Sequence, residues 1–180
     1  SASIDSRINA GSVIETGANS NIIFAVGKDA FILRSHGKIE MQGSDILLSG
    51  FRLVTGKLLS VFGKRKPESR LRLNTTVATI GVRGTGVYLE TEPDQTYVCT
   101  CYGSADLSAN NDASSRETVV TRHHDSPRFI IAGAAEGKKI QPAPVINHTD
   151  EELELIETLV GRSVPFDFSG DYDSMRKNKY

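Results

Sequence analysis

Asn21-Ile22-Ile23-Phe24-Ala25-Val26-Gly27-Lys28-Asp29-Ala30-Phe31-Ile32-Leu33-Arg34 sets two apolar runs on either side of Gly27-Lys28-Asp29. β-Branched and aromatic residues dominate both, and runs of that kind between turn residues read as strands. Upstream, Val13-Ile14-Glu15-Thr16 lies between Gly11 and Gly17. Downstream come Ile46-Leu47-Leu48, Phe51-Arg52-Leu53-Val54 and Lys57-Leu58-Leu59-Ser60-Val61-Phe62, the last boxed in by Gly56 and Gly63. Turn residues recur every eight to twelve positions, roughly, which is the rhythm of an all-β sandwich or barrel. Residues 75–80, 87–90, 96–102, 117–121 and 128–132 extend the series.

Between two of these runs stands Gly81-Val82-Arg83-Gly84-Thr85-Gly86. It lacks the Gly-Lys-Ser/Thr ending and the following helix of a phosphate-binding loop, so its glycines are expected to serve positive φ or close backbone approach. Arg83 is then expected at a crowded point of the backbone, with its donors on carbonyls or a carboxylate. Residues 104–116 are rich in Ser, Asn, Asp and Ala and read as loop; residues 133–144, with Gly137, Pro142 and Pro144, read as an extended connection. One helix is expected, at about 150–160. Thr149 and Glu152 form a capping box, Asp150 and Glu151 complement the first turn, Leu153, Ile156, Leu159 and Val160 make the apolar face with Leu155 beside it, and Gly161 supplies the stop. Residues 169–180 are polar and expected to fray.

At 180 residues and 19.5 kDa the chain fits one domain with an appendage. Apolar residues make up 38% and charged residues 24%, as in soluble globular chains. Twenty-one basic against twenty-two acidic residues leave a charge of -1, which argues against a general nucleic-acid binder. The apolar runs are too short to span a bilayer, and no signal-peptide pattern is present. Lys64, Arg65, Lys66, Arg70 and Arg72 stand against Glu68 alone, around Pro67, and are expected in an exposed loop, either a solvated connector or a site for an anionic partner. Residues 145–173 hold eight acidic residues and one basic residue, Arg162, so the acidic tail and the basic stretch at 52–72 are expected to pair within the molecule.

Gly11-Ser12-Val13-Ile14-Glu15-Thr16-Gly17, followed by Ser20 and Phe24, resembles the opening of the FecR domain. Thr76-Val77-Ala78-Thr79-Ile80-Gly81-Val82-Arg83-Gly84-Thr85 resembles that family's most recognisable signature, and residues 97–107 its closing strand, glycine turn and strand. The resemblance covers about residues 8–107; Cys99, Cys101 and Tyr102 stand where the family commonly has a hydrophobic dipeptide and Glu. It implies a β-sandwich of jelly-roll type in the periplasm of a Gram-negative bacterium. Relatives pass signals from an outer-membrane receptor to a membrane-anchored regulator of a sigma factor. With no transmembrane segment in this chain, the resemblance implies a stand-alone member with a protein partner in the cell envelope and no catalytic residues. Residues 1–107 are then the FecR-like β domain, and 108–180 a C-terminal extension whose strands and helix pack on it.

Cys99 and Cys101 are the chain's two cysteines. On a regular strand they point to one face with Cα atoms about 6.6 Å apart. Disulfides span roughly 4.4–6.8 Å, most often below about 6 Å, so a bridge here is strained. Free thiols and a soft metal ion are the other outcomes. His123 and His124 follow one strand and His148 precedes the helix, so Cys99, Cys101, His123, His124 and His148 are the candidate ligands, suited to zinc or copper. Neighbouring histidines on a strand face opposite ways, so one of His123 and His124 is expected to join.

Thiol catalysis is the poorest reading: there is no Cys-x-x-Cys helix, and no Asn or Asp evidently placed to orient a histidine. Glu154 and Glu157 read as a solvated helix face, and the serines lack a Gly-x-Ser-x-Gly elbow. The expectation is a non-enzymatic binding or sensing module, with a metal held by Cys and His. The alternatives are an interaction scaffold without metal and, third, a thiol enzyme.

Overall fold

The computed structural model of the chain describes residues 3–44, 47–66 and 71–167. The described residues are mainly β, with twelve strands and one helix. The strands are β1 (Val13–Glu15), β2 (Ile22–Val26), β3 (Asp29–Leu33), β4 (Lys38–Ser44), β5 (Leu47–Val61), β6 (Leu71–Asn74), β7 (Ala78–Val82), β8 (Gly86–Thr91), β9 (Gln95–Ala109), β10 (Asp112–Thr121), β11 (Arg128–Ile131) and β12 (Ile140–Pro142). The helix is α1 (Asp150–Leu159).

The sheet folds over on itself because two long strands each serve both halves. One half runs β1-β4-β5-β6-β7-β9-β10 and the other β2-β3-β5-β8-β9-β11-β12. Every pairing is antiparallel except β5 with β6. Strand β5 leaves β4 at Thr55 and meets β8 from Gly56, while β9 leaves β8 at Tyr102 and meets β10 from Gly103. Gly56 and Gly103 have φ of +91° and +87°, a region that side chains rarely adopt, and these glycines let the strands bend from one half to the other.

Alternation along the strands sorts side chains into two apolar layers. Phe31, Phe51, Phe62, Leu73, Ile80 and Val98 belong to the core between the halves. The opposite face of the second half carries Ile32, Leu59, Tyr88, Tyr97, Cys99 and Cys101, a second apolar layer that needs its own cover. Residues 143–166 supply it, with Ile146, Leu153, Ile156, Val164 and Phe166 packed against that face. The capping box at Thr149 and Glu152 forms as expected and fixes where α1 starts.

The structure corrects several sequence expectations. The three runs between 46 and 62 are one strand, with Gly56 a bend inside it; Ile46 lies outside the described residues. Strands β4 and β6 were not expected. Residues 104–116 are the inner ends of the β9–β10 hairpin, whose small polar side chains sit on paired backbone. The connection at 133–144 contains β12. Arg83 is exposed rather than held in crowded backbone, although Gly84 has φ of +66° and Gly86 packs on the Tyr102 ring.

Arg65 leaves the basic loop to pair with buried Asp29, and Arg72 lies on β6, while Pro67, Glu68 and Arg70 lie outside the described residues, as does the tail from 168. Among the described residues, Glu152 and Glu157 of the helix pair with Arg34 and Arg162, which lie outside the basic stretch. Leu155 and Leu159 are half exposed, at 51% and 52%. Leu153 and Ile156 alone carry the buried leucine and isoleucine contacts of α1, each worth about 1.5–3 kcal/mol. Truncating Leu153 to Ala is expected to cost about 2–5 kcal/mol in urea unfolding, and Leu159→Ala less than about 0.5 kcal/mol.

Candidate metal centre

Strand β9 presents Cys99 and Cys101 outward, on the face that residues 143–166 cover, while Val98 faces the main core. Both sulfurs are fully buried and unbonded to each other. His124 arrives from the turn after β10. Its backbone N–H donates to the Cys101 carbonyl at 2.9 Å and its φ of +52° turns the ring under the cover. His148 sits one residue before the helix cap, stacked on Tyr88 with ring centroids 4.5 Å apart. Cys99, Cys101, His124 and His148 each offer one ligand atom, and these atoms all lie within 4.8 Å of one another.

The individual distances fit an ion's first shell. Cys99 Sγ is 3.3 Å from His124 Nδ1, and His148 Nε2 is 3.0 Å from the same nitrogen. A regular tetrahedron with zinc–sulfur bonds near 2.3 Å and zinc–nitrogen bonds near 2.0–2.1 Å has edges of about 3.3–3.8 Å. The four donors therefore need shifts of an ångström or less.

Proton placement points the same way. His148 Nδ1 lies 2.6 Å from the Ile146 carbonyl, which only accepts, so this nitrogen carries a hydrogen, and in a neutral ring Nε2 then faces the cluster as a lone pair. His124 Nε2 lies 3.0 Å from Asp150 Oδ1 and carries its hydrogen there, which leaves Nδ1 facing inward. In neutral rings two lone pairs then meet at 3.0 Å, an arrangement that requires a proton or a cation between them. A metal-ligating histidine almost always has its other nitrogen held by a carboxylate or carbonyl in this way.

Without an ion, the proton fills the gap. Burial opposes the His124 imidazolium, but hydrogen bonds to Asp150 and Cys99 outweigh it and raise His124 to about 9. Burial by itself pushes the Cys99 thiol up, and hydrogen bonding with Cys101 and His124, with the His148 ring beside them, reverses this and holds it well below the usual thiol range. Cys101 moves the other way, raised by burial and by the Cys99 sulfur. Burial would also raise Asp150, but His124 and His123 together keep its carboxyl below the ordinary range.

His123, the fifth candidate ligand, is not brought to the sulfurs. Its Nε2 reaches Asp150 Oδ2 at 2.8 Å and its ring stacks on Phe166, so it joins His124 and Asp150 in a second, outer group. The expected separation of the neighbouring histidines therefore holds, but it arises in a turn rather than from strand alternation. Asp150, which bonds both His123 and His124, is the member of this cluster that the sequence does not single out. Its place two residues after His148, at the first helical position, reads in the sequence as a complement to the helix dipole alone. Glu157 is a further correction: it is 3% exposed and accepts from Tyr102 and Arg162 instead of facing solvent.

No protein-family profile matches the chain, and no curated protein sequence does. Among solved structures, two crystal structures of a candidate anti-sigma factor from Parabacteroides distasonis are similar, each with a TM-score of 0.57 at 10% identity. The match covers 73% of this chain and 59% of that one, so this chain spans less than two thirds of its structural neighbour. At that identity the likeness is one of fold.

In chelator-treated, reduced protein, the ultraviolet thiolate band of Cys99 is expected to persist well below the ordinary thiol range near about 8.5. His124→Ala is expected to return its midpoint toward or above that value.

Proposed function

We propose that the protein is a non-enzymatic binding or sensing module of the FecR type, acting in the periplasm, in which one soft metal ion fastens the C-terminal segment to the β structure. The observation that carries this reading is the buried set of Cys99, Cys101, His124 and His148, with the outward nitrogens of both imidazoles fixed by Asp150 and the Ile146 carbonyl. Two thiolates balance a divalent charge, so the filled site adds no net charge to the interior. A closed set of two sulfurs and two nitrogens is the donor chemistry of structural zinc; copper(I) shares the preference for thiolate. The ion supplies cross-linking, since four protein donors leave no open position for a substrate. Both thiols lie beneath the covering segment in the folded chain, which fits a structural role better than a thiol enzyme's.

The module reading draws on the FecR-like motifs at 11–24 and 76–85, and we read the folded-over sheet as that family's jelly-roll sandwich. The fold shared with a candidate anti-sigma factor supports a regulatory role through a protein partner; the cell-envelope setting comes from the FecR-like motifs. The runner-up is an interaction scaffold without metal. Its support is the hydrogen-bonded line from Cys99 through His124 to Asp150, which satisfies itself as a thiolate and an imidazolium.

Protein purified without chelator is expected to carry about one zinc per chain by elemental analysis. His148→Ala is expected to lose the ion, whereas His123→Ala retains it at full stoichiometry. Asp150→Asn is expected to weaken zinc affinity about 10–100-fold in chelator competition. Metal-free wild-type protein with intact thiols would favour the scaffold.

A further inference from the structure

Building on the metal-site reading, we infer that the site is an oxidation-sensitive clasp: two-electron oxidation of Cys99 and Cys101 expels the ion and frees residues 143–166 from the sheet. The argument begins with which side of the joint each donor belongs to. Both thiolates come from β9, His124 comes from the turn after β10, and His148 is the covering segment's own ligand, assisted by Asp150. The two sulfurs are the chain's whole complement of thiols and already lie within 4.8 Å of each other. One oxidative event therefore removes half the ligand set at once. The two imidazoles that remain are too few to hold a structural zinc ion.

The chemistry balances with a peroxide as oxidant. Local opening of the cover admits hydrogen peroxide to the buried sulfurs; one thiolate attacks it, a sulfur–oxygen bond forms, the oxygen–oxygen bond breaks, and hydroxide leaves with a sulfenic acid as the other product. The second thiolate attacks that sulfur, forms the sulfur–sulfur bond and displaces a second hydroxide. The two sulfurs together lose two electrons, the peroxide gains them, and zinc departs as the aqueous ion.

The product does not fit the strand that carries it. Residues two apart on an extended strand lie about 6.6 Å apart, at the outer limit of disulfide spans. Strand β9 must therefore shorten around Thr100, where Val87 of β8 pairs with it and where Thr121 Oγ1 donates to its carbonyl at 3.1 Å. Strained disulfides of this kind are readily reduced, which makes the clasp reversible. Once it opens, Ile32, Leu59, Tyr88 and Tyr97 lose their cover, and an apolar face becomes available that the fastened protein hides.

The test uses the full chain as purified. Zinc and copper contents are measured first; a chain holding neither refutes the metal-site reading itself. On zinc-loaded protein, hydrogen peroxide is then titrated while zinc release, free thiols and amide hydrogen exchange over residues 143–166 are followed. The expected result is loss of two thiols and about one zinc per chain in step, with at least tenfold faster exchange in that segment and return of protection on adding a thiol reductant and zinc. Thiol loss with zinc retained, or zinc loss with the segment still protected, would overturn the clasp while leaving the metal site standing.

Discussion

Strand β9 has to belong to two sheet halves at once, and the arrangement of the site follows from that constraint. Its first part pairs with β8 and β11, its second with β7 and β10, and the change of partners falls at Gly103. A bend there keeps Leu107 and Val98 on the same core although they sit in different halves. Fixing the core side of residue 98 also fixes the other side: Cys99 and Cys101 must project outward, beneath whatever covers that face. The sulfur pair is thus a product of strand parity, and the histidines are brought to it by a hairpin end and a cap that have their own reasons for lying there.

A chain that buries two sulfurs, two imidazoles and a carboxylate must balance their charges, because an unpaired buried charge costs several kcal/mol, roughly. Hydrogen bonds do this in one way, by moving a proton from Cys99 to His124 against the Asp150 carboxylate. A divalent ion would do it in another, by taking both thiolates. Either solution ties the same elements together, which explains why the covering segment packs well even though α1 buries few large apolar side chains.

Much of this was legible in the residues. The alternating apolar runs gave the β character, the Thr149–Glu152 box located the helix start, and Cys-x-Cys implied a shared face. Less visible was β4, whose inward Ile39 and Met41 alternate with Lys38, Glu40 and Gln42, a half-buried pattern without a continuous apolar run. The hairpin at 104–116 was misread because Ser, Asn and Asp composition resembles a loop, while backbone pairing with β7 and between the hairpin's own arms decides the matter. Asp150 reads only as a first-turn complement and Glu157 as part of a solvated face, since a helix sequence shows periodicity but not what stands opposite. Which of His123 and His124 turns inward depends on a left-handed backbone at 124, and no local pattern announces that.

Whether a metal ion is the natural occupant of the Cys and His cluster is best decided by X-ray absorption at the zinc edge on protein purified without chelator. The account predicts two sulfur neighbours at about 2.3 Å and two imidazole nitrogens at about 2.0–2.1 Å, with no lighter shell from solvent. An edge spectrum without sulfur in the first shell, or a purified chain with no edge at all, would contradict it.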